Sequence, residues 1–229
     1  MFILTGSFFM VPDADGDGEP EPVYYNGYRP GEHVGGTPGD GKLGARALGI
    51  ENMAEACVQG RGVMVDLHAH FGDERVAVNY QQLMEVFEQD SITVEEGDML
   101  CLHTGWDDMI VSMNGDPDAE KLHNSCAVLD GYDETLLKWI TDCGLVAIVS
   151  DNMAVENSGG NGDTQGGRSH LPIHRHCLFR LGVHLGELWY LSELTSALNS
   201  RDRSRFLLTA PPLRMPGAVG SPVTPIGTI

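Results

Sequence analysis

Two periods run through the hydrophobic pattern of this chain. Nearly continuous apolar runs predict short buried strands: G-V-M-V-D-L over residues 62–67, M-L-C-L-H-T over 99–104, Leu145 to Ser150, and Phe206 to Thr209. In the first of these, Val63, Val65 and Leu67 share one face. Between the strands the apolar spacing turns helical. Leu83, Val86 and Phe87 mark a helix from Asn79 to Gln89, and Leu136, Leu137, Ile140 and Cys143 mark another from Asp133 to Cys143. Asp133 is placed to cap that second helix and Gly144 to end it. Met53 to Val58 reads as a short helix, and a further element runs from Leu188 to Leu198. Strands alternating with helices predict an α/β fold. There is no internal repeat and no linker, so residues 1–229 are expected to form a single domain.

The ends and the loops are less regular. Residues 1–12 read as a strand cut short at its beginning, followed by an acidic loop over 13–22. That loop resembles the start of a calcium-binding EF-hand. Pro20 and Pro22 break the helix such a loop needs, and Tyr24 stands where its last carboxylate belongs. Residues 27–49 form a long Gly- and Pro-rich loop, a length more often functional than not. Residues 157–168 form a second flexible loop, and the tail after Thr209 is extended and punctuated by proline.

Composition narrows the partners. The 33 acidic residues against 14 basic ones give a formal charge of −19, which repels phosphate backbones and anionic lipid. No nucleic-acid or membrane partner is expected, and no segment approaches the ~20 apolar residues of a spanning helix. Five cysteines without a C-x-x-C pair read as reduced thiols of a cytoplasmic protein. The 29 glycines imply many tight turns, against a helical bundle.

The candidate chemistry is concentrated between His170 and Glu187, where His170, His174, His176, His184 and Glu187 fall within eighteen residues. Imidazole nitrogens and a carboxylate are ligand types for a zinc- or manganese-like ion. On a helix, His170 and His174 would share a face, and Glu187 could return to it from the next element. A histidine-rich surface helix fits the same pattern. A second pair, His68 and His70, follows a strand as metal-bearing amidohydrolase barrels have it. Such barrels typically need about 250 residues, and only about 160 follow His70. Thr104-Gly105-Trp106 and the run from Ser150 to Glu156 put polar groups at strand C-terminal ends, where open α/β sheets bind ligands or where turns are capped.

Seven motifs in order carry a resemblance. They are Y-Y-N-G-Y (24–28), L-G-I-E-N (48–52), the G-V-M-V-D-L strand and E-E-G-D-M-L-C-L-H-T-G-W (95–106). V-S-D-N-M-A-V-E (149–156) follows, then H-x3-H with C-L-F-R-L-G-V-H-L-G-E-L-W-Y-L, and the tail from Arg205. Together the motifs resemble the cyclase family of metal-dependent hydrolases, which includes kynurenine formamidases and isatin hydrolases. The resemblance covers residues 24–229. It implies a swivelling β/β/α fold, a homo-oligomer, and hydrolysis of a small-molecule amide or lactam C–N bond by metal-activated water. His174 and Glu187 match the family's distal metal-binding His and Glu, with His170 a further candidate.

The N-terminus departs from the family. An H-x-G-T-H-x-D-x-x-x-H segment is expected before the Y-N-G, and here Leu4, Phe8, Met10 and Ala14 occupy its ligand positions. None is a usual ligand, so an N-terminally truncated or divergent chain is expected, with residues 1–23 differing from the family. Apolar Phe8 and Met10 predict a collapsed site, weak or absent zinc or manganese, and impaired turnover. The rival expectation is a non-catalytic relative that serves as a binding or oligomerisation partner.

Overall fold

The computed structural model describes residues 2–3, 9–12, 16–35, 44–157 and 170–229. Its frame is an eight-stranded mixed sheet made of β1 (Phe2–Ile3), β2 (Gln59–Asp66), β3 (Met99–His103), β4 (Ala147–Ser150), β5 (His184–Gly186), β6 (Arg205–Thr209), β7 (Gly220–Ser221) and β8 (Ile226–Thr228). The spatial order is β7-β1-β5-β4-β3-β2-β6-β8. The four central strands, β5 to β2, run parallel, while β1, β6, β7 and β8 add antiparallel edges.

The apolar runs follow from burial of both sheet faces. Val63, Val65, Leu100, Leu102, Ile148 and Leu185 face one core, against helices α1 (Tyr80–Gln89) and α2 (Glu134–Cys143). Met64, Cys101, Ala147 and Val149 face the other, with Trp189, Leu198 and Phe206. Both helices start as their sequences predict. Asn79 and Gln82 form a reciprocal capping box, and the Asp133 carboxylate accepts Thr135 N–H. Gly144 ends the second helix at φ +70°, in the left-handed region where glycine has no steric penalty.

The structure corrects several boundaries. The short helix near Met53 spans Ile50–Ala56, and the element after Leu188 becomes helical only at Ser192, running to Asn199. The end of the acidic segment is a strand, Pro20–Val23, paired antiparallel with Phe9–Pro12. The histidine-rich segment is an α-turn over Pro172–His174 that continues as a π-turn over Arg175–Leu181. His170 precedes that helix and is exposed, so it does not share a helical face with His174. Leu4, Phe8, Ala14 and most of the second glycine-rich loop lie outside the described residues.

Candidate active site

The C-terminal ends of the parallel strands carry most of the buried polar groups. At the end of β5, Glu187 meets His174, whose Nε2–H donates to Glu187 Oε1 at 2.9 Å. On the other side of the ring, His174 Nδ1–H donates to Glu156 Oε1 at 2.8 Å. Glu156 is fully buried, and Glu187 is nearly so. Burial works against a charged His174, but the two carboxylate hydrogen bonds outweigh it and raise the imidazole to about 9. Sequence reasoning paired His174 with Glu187 across thirteen residues, and the structure brings them into contact. It assigned no role to Glu156, read as part of a strand-end segment and of the V-S-D-N-M-A-V-E motif. The available signal was a carboxylate placed just beyond an apolar strand.

The segment that carries Glu156 is conformationally unusual. Ala154 and Val155 both have positive φ, at +72° and +61°. A buried β-branched residue seldom adopts that region. It is held by Leu129 N–H donating to Val155 O at 3.0 Å and Val155 N–H donating to Asn152 Oδ1 at 3.1 Å. Leu188, next to Glu187, also has positive φ, at +57°. Backbone strain of this kind costs on the order of 1–3 kcal/mol per residue and clusters at functional sites.

A second polar cluster lies at the ends of β3 and β4. Ligand atoms of His103, Asp107 and Asp151 fall within 4.8 Å of one another, close enough for a metal ion. Each is already engaged by protein. Asp151 accepts Thr104 N–H, Thr104 Oγ1–H and Gly105 N–H, so the T-G-W and S-D-N motifs lock together. Asp107 accepts Leu191 N–H, Ser192 N–H and Ser192 Oγ–H. His103 Nδ1–H donates to Asp66 Oδ1 at 2.8 Å. Burial raises the Asp151 carboxyl above its ordinary range, while His103 is raised because its carboxylate neighbours outweigh burial.

The remaining candidates scatter. His68 and His70 sit on a short helix (Leu67–Phe71) and turn apart, His68 to Asp73 and His70 to Asp90. Met10 lies on the Phe9–Pro12 strand and is 56% exposed, so it does not seal a collapsed apolar site. An apolar cavity of about 460 Å³, with Tyr25, Tyr28, Met53, Met99 and His184 among its walls, opens at the opposite, N-terminal ends of the strands.

Comparison with known proteins agrees with this frame. The sequence profile of the Cyclase family matches residues 13–157. A solved structure of a novel cyclase is 31% identical over 81% of this chain and 59% of its own, with a TM-score of 0.66. The chain belongs to the cyclase family. An isatin hydrolase bound to the product analogue thioisatinate shares the fold at 14% identity, covering 83% of this chain and 65% of its own, with a TM-score of 0.54. Isatin hydrolase A from Ralstonia solanacearum does so at 15%, covering 78% and 63%, with a TM-score of 0.54. The chain therefore spans about three fifths of the length of these relatives. No curated protein matches it in sequence. Among the described residues, no helix is long and apolar enough to cross a membrane.

Proposed function

We propose that this cyclase-family chain is a metal-dependent hydrolase of a small-molecule amide or lactam C–N bond, arylformamidase-like, with impaired turnover. The observation that carries the reading is the meeting of His174 Nε2 and Glu187 Oε1 at 2.9 Å, on the strand-end side of the sheet. An imidazole and a carboxylate that close suit one divalent ion, since Zn–N and Zn–O bonds are each about 2 Å. His174 and Glu187 would hold it, and zinc or manganese fits the donor set. Such an ion, when bound, supplies water of lowered pKa and polarises a carbonyl. Glu187 contributes charge at the strand end, while buried Glu156 holds the imidazole from behind.

Zinc hydrolases commonly use three protein ligands, and Leu4, Phe8, Met10 and Ala14 leave the N-terminal set empty of usual donors. Weak metal binding and slow hydrolysis follow from that. The proposal extends to a cytoplasmic homo-oligomer without nucleic-acid or membrane partners, in line with the charge of −19. Metal content and turnover of N-formylkynurenine and of isatin, measured on one preparation, test it. Slow, metal-dependent turnover is expected. Complete absence of both favours a non-catalytic binding or oligomerisation partner. An ordinary kcat of ~1–10³ s⁻¹ contradicts the impairment.

A further inference from the structure

We infer that Glu156 is a positioning residue that sets the tautomer and aim of His174, so that Nε2 is presented to the cation. The inference rests on the metal-site reading above, and three features support it. The first is the hydrogen-bond set. Glu156 Oε1 accepts both His174 N–H and His174 Nδ1–H, each at 2.8 Å, and Oε2 accepts Ile173 N–H at 2.7 Å. One buried carboxylate thus fixes the backbone and the ring of the same residue. A ring whose Nδ1 keeps its proton has its Nε2 lone pair available, the arrangement metal-bound histidines commonly have.

The second feature is that this helix has no cap of its own. Its N-cap position is Leu171, whose side chain offers no acceptor, and Pro172 at the first helical position has no N–H. The first-turn donors without an intrahelical acceptor are therefore Ile173 N–H and His174 N–H, and Glu156 takes both. The start of the His174 helix is defined by a carboxylate from another segment.

The third feature is the space made for that carboxylate. A Cβ at Gly131 would fall on a Glu156 carboxylate oxygen and also press on Pro172 Cδ at 3.3 Å. Gly131 has no positive φ, so its backbone tolerates a side chain. Its lack of one is explained by Glu156. With the left-handed Ala154 and Val155 on the other flank, the structure commits two strained residues and one bare position to a single carboxylate.

Two substitutions test this. Glu156→Leu keeps much of the bulk but removes the acceptor of all three donors. Gly131→Ala leaves Glu156 in place and displaces its carboxylate. Each is read by long-range ¹H–¹⁵N NMR of His174 in the metal-free protein at alkaline pH, and by zinc and manganese titration. Circular dichroism confirms folding. In the parent chain the ring proton is expected on Nδ1. Both variants should lose that preference, and metal affinity should fall about 10- to 100-fold, as for other residues that support a ligand. If Glu156→Leu does not fold, Gly131→Ala carries the test. A parent ring protonated on Nε2, or variants with unchanged tautomer and affinity, overturns the inference. A parent chain with the Nδ1 proton but no metal binding sinks the metal-site reading and leaves the positioning role standing.

Discussion

His174 lies between two carboxylates, and that governs its response to pH. Burial opposes its charge, but the bonds to Glu156 and Glu187 raise it to about 9 in the metal-free protein. A histidine raised on folding adds stability that is complete below its unfolded pKa of about 6.5 and is lost as pH rises through the folded value. The melting temperature in the presence of chelator should therefore fall between pH 6.5 and 9.5. The free-energy change is on the order of 3 kcal/mol. His174→Gln should flatten that profile, and a parent profile already flat over this range contradicts the assignment. At this scale the His174–Glu187 pairing was legible through the family resemblance. Spacing alone was not enough: it also put His170 on the same helical face. Pro172 begins the helix after His170, and proline at a first helical position is a start signal the spacing argument passed over. Glu156 was not legible because its partners come from a segment about eighteen residues later in the chain.

At the scale of elements, the strand-to-loop turns carry the site and store its strain. Ala154 holds φ +72° with only partial burial. The left-handed conformation costs an alanine roughly 1–2 kcal/mol, and glycine's extra chain entropy offsets about 0.5–1 kcal/mol of the relief. Ala154→Gly is thus expected to stabilise the protein by about 0.5 kcal/mol, read as a higher denaturant midpoint at unchanged slope. A lower midpoint would show that the turn is not strained. The regular helices behave differently. Asn79 and Gln82 satisfy each other across the first turn, so Asn79→Ala should cost about 1 kcal/mol. Helices with a clear apolar stripe and a polar cap were legible almost to the residue. The π-turn over Arg175–Leu181 was not, because one extra residue per turn leaves the apolar pattern of C-L-F-R-L compatible with an ordinary helix.

At the scale of the whole molecule, three of the four parallel strands, β2 to β4, were legible because burial on both faces requires apolar residues at successive positions, whereas the three-residue β5 was read as part of the histidine-rich segment. Leu100 and Ile148 are fully enclosed at the centre of that sheet. Truncating either to alanine is expected to cost about 2–5 kcal/mol, seen as a large drop in melting temperature. The antiparallel edges were less legible. β1, β7 and β8 have two or three residues each, too few to show a period. The sheet brings the ends of β2 to β5 to one side, and there the buried polar groups gather. The site is a product of this topology, since His174 and Glu187 come from different elements and meet only once β5 is seated between β1 and β4. The most direct test of the account is calorimetric titration of the metal-free protein with manganese or zinc, beside His174→Ala and Glu187→Gln. The account predicts one weak site per chain in the parent and its loss in both variants. Unchanged binding in either variant, or no binding in the parent, contradicts it.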